Sequence, residues 1–252
     1  MSKALVVLSG GQDSTTCLFW AKSKFDEVRA ITFNYGQRHI AELTAAAKIA
    51  KLASVEHEIV NVPSILISRS PLTDPNVQLE TYTDFNSMDK IIGDRVELTF
   101  VPMRNAFFLT LAANRALYFD CYNLVTGVCE NDVTNYPDCR EPFIISQEDT
   151  INRALGFVTG IDDDGTRHNK FKIHAPLLKS SKSKTVLLSR ELLGCWEALA
   201  YSHTCYAGKT PPCIMTEKQA CHACTLRSKG FEEAGYKDPL IERWEKELVN
   251  AR

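Results

Sequence analysis

Apolar runs alternate with amphipathic stretches along the first sixty residues. Lys3 to Leu8 is a short Val- and Leu-rich run that stops at Ser9-Gly10-Gly11, so it reads as a buried strand, and Thr15 to Lys24 follows with helical patterning. Val28 to Phe33 predicts a second strand. Ile40 to Ala53 predicts a second helix, with Leu43, Ile49 and Leu52 at helical spacing among alanines, and His57 to Val62 a third strand. This alternation predicts an α/β fold: a parallel sheet with helices on both faces and right-handed crossovers. Ligands of such sheets bind outside the carboxyl ends of the strands.

Between Pro63 and about Arg95 the periodicity dissolves into a polar stretch too long for an idle connection, which reads as an active-site cover. Order resumes at Leu98 to Pro102. A helix from about Asn105 to Tyr118, a strand at Asn123 to Val128, a helix near Ile144 to Leu155, a strand at Phe171 to His174 and a helix near Lys182 to Leu193 follow, giving about five strands in all. The expected division is an α/β unit over 1–180, with the insertion near 63–95, and a helical cysteine-rich region over 181–252.

Composition narrows the partners. The net charge of −2 supplies no bulk positive field for a nucleic-acid backbone or an anionic membrane. No run approaches the roughly 18 apolar residues of a membrane span. Nine cysteines, an odd number, without a secretory leader, point to a reduced cytoplasmic setting rather than a disulfide scaffold.

The chemistry begins at Ser9-Gly10-Gly11-Gln12-Asp13-Ser14, where a strand hands over to a helix. Backbone amides and the helix dipole converge there on an anion, the glycines allow close approach, Ser9 and Ser14 offer hydroxyls, and Asp13 offers an oxygen for Mg2+. There is no GxxxxGK[ST] string, so Walker-type γ-phosphate chemistry is not indicated. Phe33 to His39 ends the second strand, with Arg38 and His39 as anion-binding candidates. Arg104 precedes a helix that Asn105 would cap, and is placed to stabilise charge on a phosphate. Glu130, Asp132, Tyr136, Asp138 and Arg140 cluster in one loop; the carboxylates suit either accepting hydrogen bonds from N–H groups of a ligand or proton transfer, and the spacing does not separate Asp132 from Asp138. Cys139 is a weaker candidate nucleophile. Cys205, Cys213, Cys221 and Cys224 match a closed tetrahedral zinc site, with His222 as the alternative to Cys213.

SGGxDS resembles the fingerprint of the PP-loop ATP pyrophosphatases, and SGGQDSTTC, FNYGQRH, TFVPMRN, TGVCENDVTNYPDCR, TCYAG and CHACTLR resemble, in that order, the 7-cyano-7-deazaguanine synthase family. The resemblance spans nearly the whole chain. It implies a Rossmann-like PP-loop fold with a zinc-binding tail, and a homodimeric ligase that uses ATP, Mg2+ and Zn2+ to convert 7-carboxy-7-deazaguanine and ammonia to the nitrile through an amide. On the matching positions it implies ATP contacts from Leu8 to Thr15, Phe33 and Arg38. It implies catalytic roles for Asp13, Arg104, Asp132 and Lys184, and substrate contacts from His39, Tyr136, Asp138, Arg140 and Arg227. Lys179 and Lys182 read as solvated. Two departures stand out: Met103 replaces the glycine of FVPGRN, and Lys218 replaces the first cysteine of CGxCxxC. They motivate an alternative in which the reaction stops at the amide or acylates another amine. A zinc-dependent interaction module with a vestigial loop is the reading from another class.

Overall fold

The computed structural model describes residues 1–37, 40–62, 66–130, 135–157, 159–160 and 168–250. In chain order the elements are β1 (Lys3–Val7), α1 (Gln12–Lys24), β2 (Glu27–Asn34), α2 (Ala41–Leu52), β3 (Glu56–Asn61), β4 (Thr81–Tyr82), α3 (Phe85–Ile92), α4 (Arg104–Tyr118) and β5 (Asn123–Val125). There follow α5 (Glu141–Ala154), β6 (Lys172–His174), α6 (Lys182–Glu191), α7 (Cys195–Leu199), α8 (Cys213–Thr216), β7 (Ala220–Cys221), α9 (His222–Ala234) and α10 (Pro239–Asn250).

Five strands form one parallel sheet in the order β3-β2-β1-β5-β6. The chain leaves β1 toward β2 and β3 on one side, then returns to build β5 and β6 on the other, so a crevice opens at the carboxyl ends of β1 and β5. Both faces are buried, which is why β1 reads as a continuous apolar run rather than an alternating one. Ala4, Val6 and Leu8 face a core with α1, α2, α7 and Phe231 of α9; Leu5 and Ile31 face the opposite core with α4 and α5.

Two features depart from the sequence pattern. β5 ends at Val125, three residues early: the Thr126 amide makes the last bond across, to the His174 carbonyl at 2.9 Å, and Thr126, Gly127 and Val128 line the crevice. The 63–95 stretch is not a bare cover: β4 pairs antiparallel with β7 of the cysteine-rich tail, and Tyr82, Met88 and Ile92 share a small buried cluster with Leu226 of α9. A capping box starts α3, with Asp84 accepting the Ser87 amide at 2.8 Å and Ser87 Oγ accepting the Asp84 amide at 3.2 Å. The tail in turn contributes Val186, Cys195, Ala198 and Leu199 to the core around α1, so the region beyond 181 completes the sheet's packing. No described helix is long and apolar enough to cross a membrane.

Candidate functional site

Gly10 holds φ at +85°, and a Cβ there would lie 2.5 Å from the Glu42 carbonyl oxygen and 2.8 Å from the Ala46 amide, so only glycine lets α2 abut the loop. Gly127, two residues past β5, is packed as closely against the start of α1: its Cβ would lie 2.9 Å from the Ser14 amide. Ser14 knits the turn, accepting the Ser9 amide at 3.2 Å and donating to the Gly11 carbonyl at 3.2 Å; Thr15 Oγ1 donates to the same carbonyl at 2.7 Å. The helix starts at Gln12, earlier than the apolar pattern suggests, on Gly11 as N-cap and with no side-chain cap. Its first amides are therefore open to an anion.

The loop forms one wall of a cavity of about 260 Å3 at the carboxyl ends of β1, β2 and β5. Leu8, Ser9, Gly11, Gln12, Asp13, Ser14, Phe33, Arg104, Tyr136 and Arg227 line it, as do Glu42, His203 and Tyr206, which the sequence pattern does not mark, Lys182, which reads there as solvated, and His222, which reads there only as an alternative metal ligand. Gly10 and Thr15 support the loop from behind. Buried polar atoms normally find partners. Here Gln12 Nε2, Asp13 Oδ1 and both ring nitrogens of His222 are buried without one, and all three residues face this cavity.

The lysine at the site is Lys182, not Lys184. Lys182 Nζ donates to Asp13 Oδ2 at 2.6 Å and its side chain is 12% exposed, whereas Lys184 faces solvent. Ser181 caps α6 by accepting the Lys184 amide at 3.2 Å, and two residues along a helix turn about 200°, so only one of the two lysines can reach the loop. Lys179 is an exposed partner of Glu141 at 2.8 Å.

Arg104 opens α4 inside the cavity. Burial opposes its charge, but Tyr35, Tyr206, Tyr136 and Asp138 outweigh that and keep the guanidinium cationic. Burial pushes the Tyr136 phenol well up, and its hydroxyl donates to Glu97 Oε2 at 3.2 Å, leaving the ring as cavity wall. Asp138 is a correction: it does not line the cavity but accepts the Asn105 amide at 3.4 Å, so it caps α4 where Asn105 was expected to, and burial raises its carboxyl. Arg140 likewise stays outside, 3.9 Å from Glu130 and donating to Asn135 Oδ1 at 3.4 Å. Cys139 lines the cavity, with Asn105 Nδ2 donating to its sulfur at 3.6 Å. Met103 takes the left-handed φ of 64° that a glycine would hold, and the residue is 68% exposed and does not line the cavity. Arg38, His39 and Asp132 lie outside the described residues.

The four cysteines of the tail are buried with their sulfurs within 4.8 Å of one another. A tetrahedral zinc with Zn–S near 2.3 Å sets sulfurs about 3.8 Å apart, so the cluster fits that ion. Cys213 fills the fourth place. His222, next to Cys221, points away into the cavity, with its ring 6.4 Å from and nearly parallel to Tyr206. Burial, aided by Lys182, pushes its imidazole down to about 3, so it is neutral. Arg227 lines the cavity with its donors already taken: its Nε donates to Asp238 Oδ2 at 2.6 Å and its terminal nitrogens to Asp238 Oδ1, Ser202, Thr204 and the Leu199 carbonyl. It clamps α9 to α10 rather than offering a free fork to a ligand. The tail also holds the loop directly, His203 donating its amide to the Gly10 carbonyl at 2.8 Å.

A family model described as "Queuosine biosynthesis protein QueC" matches residues 3–235. The 7-cyano-7-deazaguanine synthase of Laribacter hongkongensis is 44% identical over 95% of this chain and 94% of its own length. That of Gloeobacter violaceus is 45% identical over 95% of this chain and 96% of its own. Among solved structures, a 4-thiouridine synthetase–RNA complex with bound ATP aligns at a TM-score of 0.47 and 17% identity, over 92% of this chain and 53% of that one.

Proposed function

Because the chain belongs to the QueC family of queuosine biosynthesis proteins, whose curated relatives are 7-cyano-7-deazaguanine synthases, we propose that it is an ATP-dependent ligase adenylating 7-carboxy-7-deazaguanine and using ammonia to form the nitrile through an amide. The observation that carries this reading is the convergence of an uncapped helix start, the cationic Arg104 and three residues with orphaned polar atoms on one cavity.

The open amides of α1, with Ser9 and Lys182, suit the pyrophosphate end of ATP. Arg104 stabilises the charge that builds on the α-phosphate as the substrate carboxylate attacks it. Activation is needed because a carboxylate resists attack by an amine, whereas an acyl adenylate does not. A second adenylation, on the amide oxygen, turns that oxygen into a leaving group and yields the nitrile. Asp13 Oδ1, buried and unpartnered, would hold Mg2+, which supplies charge neutralisation at the phosphates. Cys205, Cys213, Cys221 and Cys224 would hold Zn2+, which supplies cross-links that order the tail and leaves no open coordination position. Met103 is exposed and does not line the cavity, so it gives no reason for the reaction to stop early.

Incubation of the purified protein with the carboxylic acid, ATP, Mg2+ and ammonia is expected to give the nitrile by mass spectrometry. Amide that persists without nitrile overturns the proposal in favour of the truncated reaction.

His222 supplies a separate check. His222→Phe keeps a ring beside Tyr206 and removes two buried, unpaired nitrogens, so the thermal midpoint is expected to hold or rise, by an equivalent of about 1–2 kcal/mol. Affinity for the deazapurine acid falls about tenfold, the worth of one ligand hydrogen bond. Zinc content stays unchanged. Calorimetric titration and thermal denaturation read the two effects, and undiminished affinity would remove His222 from the binding surface.

A further inference from the structure

Among the carboxylates that line the cavity, Asp13 is tied to Lys182, while the Glu42 carboxylate makes no hydrogen bond or ion pair with any described residue. Glu42 stands in the first turn of α2, and its carbonyl oxygen is the atom that Gly10 must approach, so its backbone is locked against the phosphate loop. Three groups on other elements face its side chain: Arg104 at the start of α4, Tyr35 just beyond β2, and Tyr206 from the tail.

From this placement we propose that Glu42 is the proton acceptor for the amine step, an inference that rests on the ligase reading above. Ammonia donates its lone pair to the acyl carbon of the adenylate, forming the C–N bond. The tetrahedral adduct then collapses, the C–O bond to AMP breaks, and AMP leaves with that electron pair. The nitrogen, positive after attack, passes one proton to a Glu42 carboxylate oxygen, which returns it to solvent before the next turnover. No oxidant or reductant enters.

The location argues for this role over reading the base edge. Arg104 marks the reacting end of the cavity, where the carboxylate and α-phosphate must meet a cation, and Glu42 shares that end. A carboxylate that recognised ring N–H groups would need only to remain ionised. Glu42 instead is pushed up to about 7 by burial, with Arg104 opposing, which matches a group that must take up and release a proton near neutral pH.

Glu42→Gln, nearly isosteric, separates the two halves of the reaction. Acid-dependent ATP–pyrophosphate exchange needs no proton acceptor and is expected within about threefold of the native enzyme. Formation of amide and nitrile falls about 10²–10³-fold, the usual loss when a general base is removed, and Glu42→Asp recovers part of it. An unchanged melting temperature and unchanged ATP binding check the fold. Product formation within threefold of native overturns the proposal, and so does loss of exchange in parallel with product, which would make Glu42 a binding residue. Absence of acid-dependent exchange in the native enzyme is a different result: it overturns the ligase reading itself.

Discussion

Lys182→Ala lowers acid-dependent ATP–pyrophosphate exchange by about 10²–10³-fold, while Lys184→Ala leaves it within threefold. Removing one preorganised charge from a transition state that spreads charge over phosphate oxygens costs on that order. Lys182 is the cation that the structure brings to the loop, 2.6 Å from Asp13 and nearly buried, where its charge is weakly screened by solvent. Its loss also leaves the Asp13 carboxylate without its lysine. Lys184, on the far side of α6, is solvated and replaceable. Steady-state exchange on the two variants checks the contrast, and equal losses would contradict the helix phase seen here. Gly230, whose absent Cβ would lie 2.6 Å from Lys182 Cβ, shows how closely α9 backs this position.

Metal removal has the second large effect. Cys221→Ser or Cys213→Ala is expected to yield protein lacking its zinc, with a thermal midpoint lower by more than about 10 °C and exchange activity largely gone. Structural zinc contributes roughly 10–16 kcal/mol of apparent binding free energy in small domains, and for a chain of this size even about 4 kcal/mol shifts the midpoint by about 8–16 °C. The damage reaches the active site by a traceable route. β7 carries Cys221 and pairs with β4, and the His203 amide holds the Gly10 carbonyl two residues before Cys205. Metal analysis and calorimetry read the result. A metal-free variant with native stability and full exchange would show that the cluster is not a structural site.

The sheet was legible because its central strand β1 and the second half of β2 are buried on both faces and therefore stand out as apolar runs. The loop was legible because two glycines and two serines between strand and helix leave few other meanings. What escaped were matters of angle and long-range packing. Lys182 and Lys184 differ only in helical phase. Arg227 follows a metal ligand at a position that matches a family motif, but its buried partner Asp238 arrives from eleven residues away. Asp138 looked like a substrate contact because the helix it caps begins far upstream, at Arg104. The pairing of β4 with β7 spans two residues on each side, too short for any periodicity. Glu42 in a first helical turn reads as an ordinary dipole partner, and only the fold places it in the cavity. Cys213, by contrast, is preferred to His222 from the sequence because it keeps a four-sulfur set and because His222, beside Cys221, would have to point the opposite way, and it stands in the cluster.

The central claim is that a substrate carboxylate oxygen attacks the α-phosphate of ATP. The measurement that tests it most directly is mass spectrometry of the nucleotide product when the acid carries heavy oxygen in its carboxylate. The account predicts AMP bearing one heavy oxygen, unlabelled pyrophosphate, and two AMP released for each nitrile formed. ADP with inorganic phosphate, or AMP without label, would contradict it.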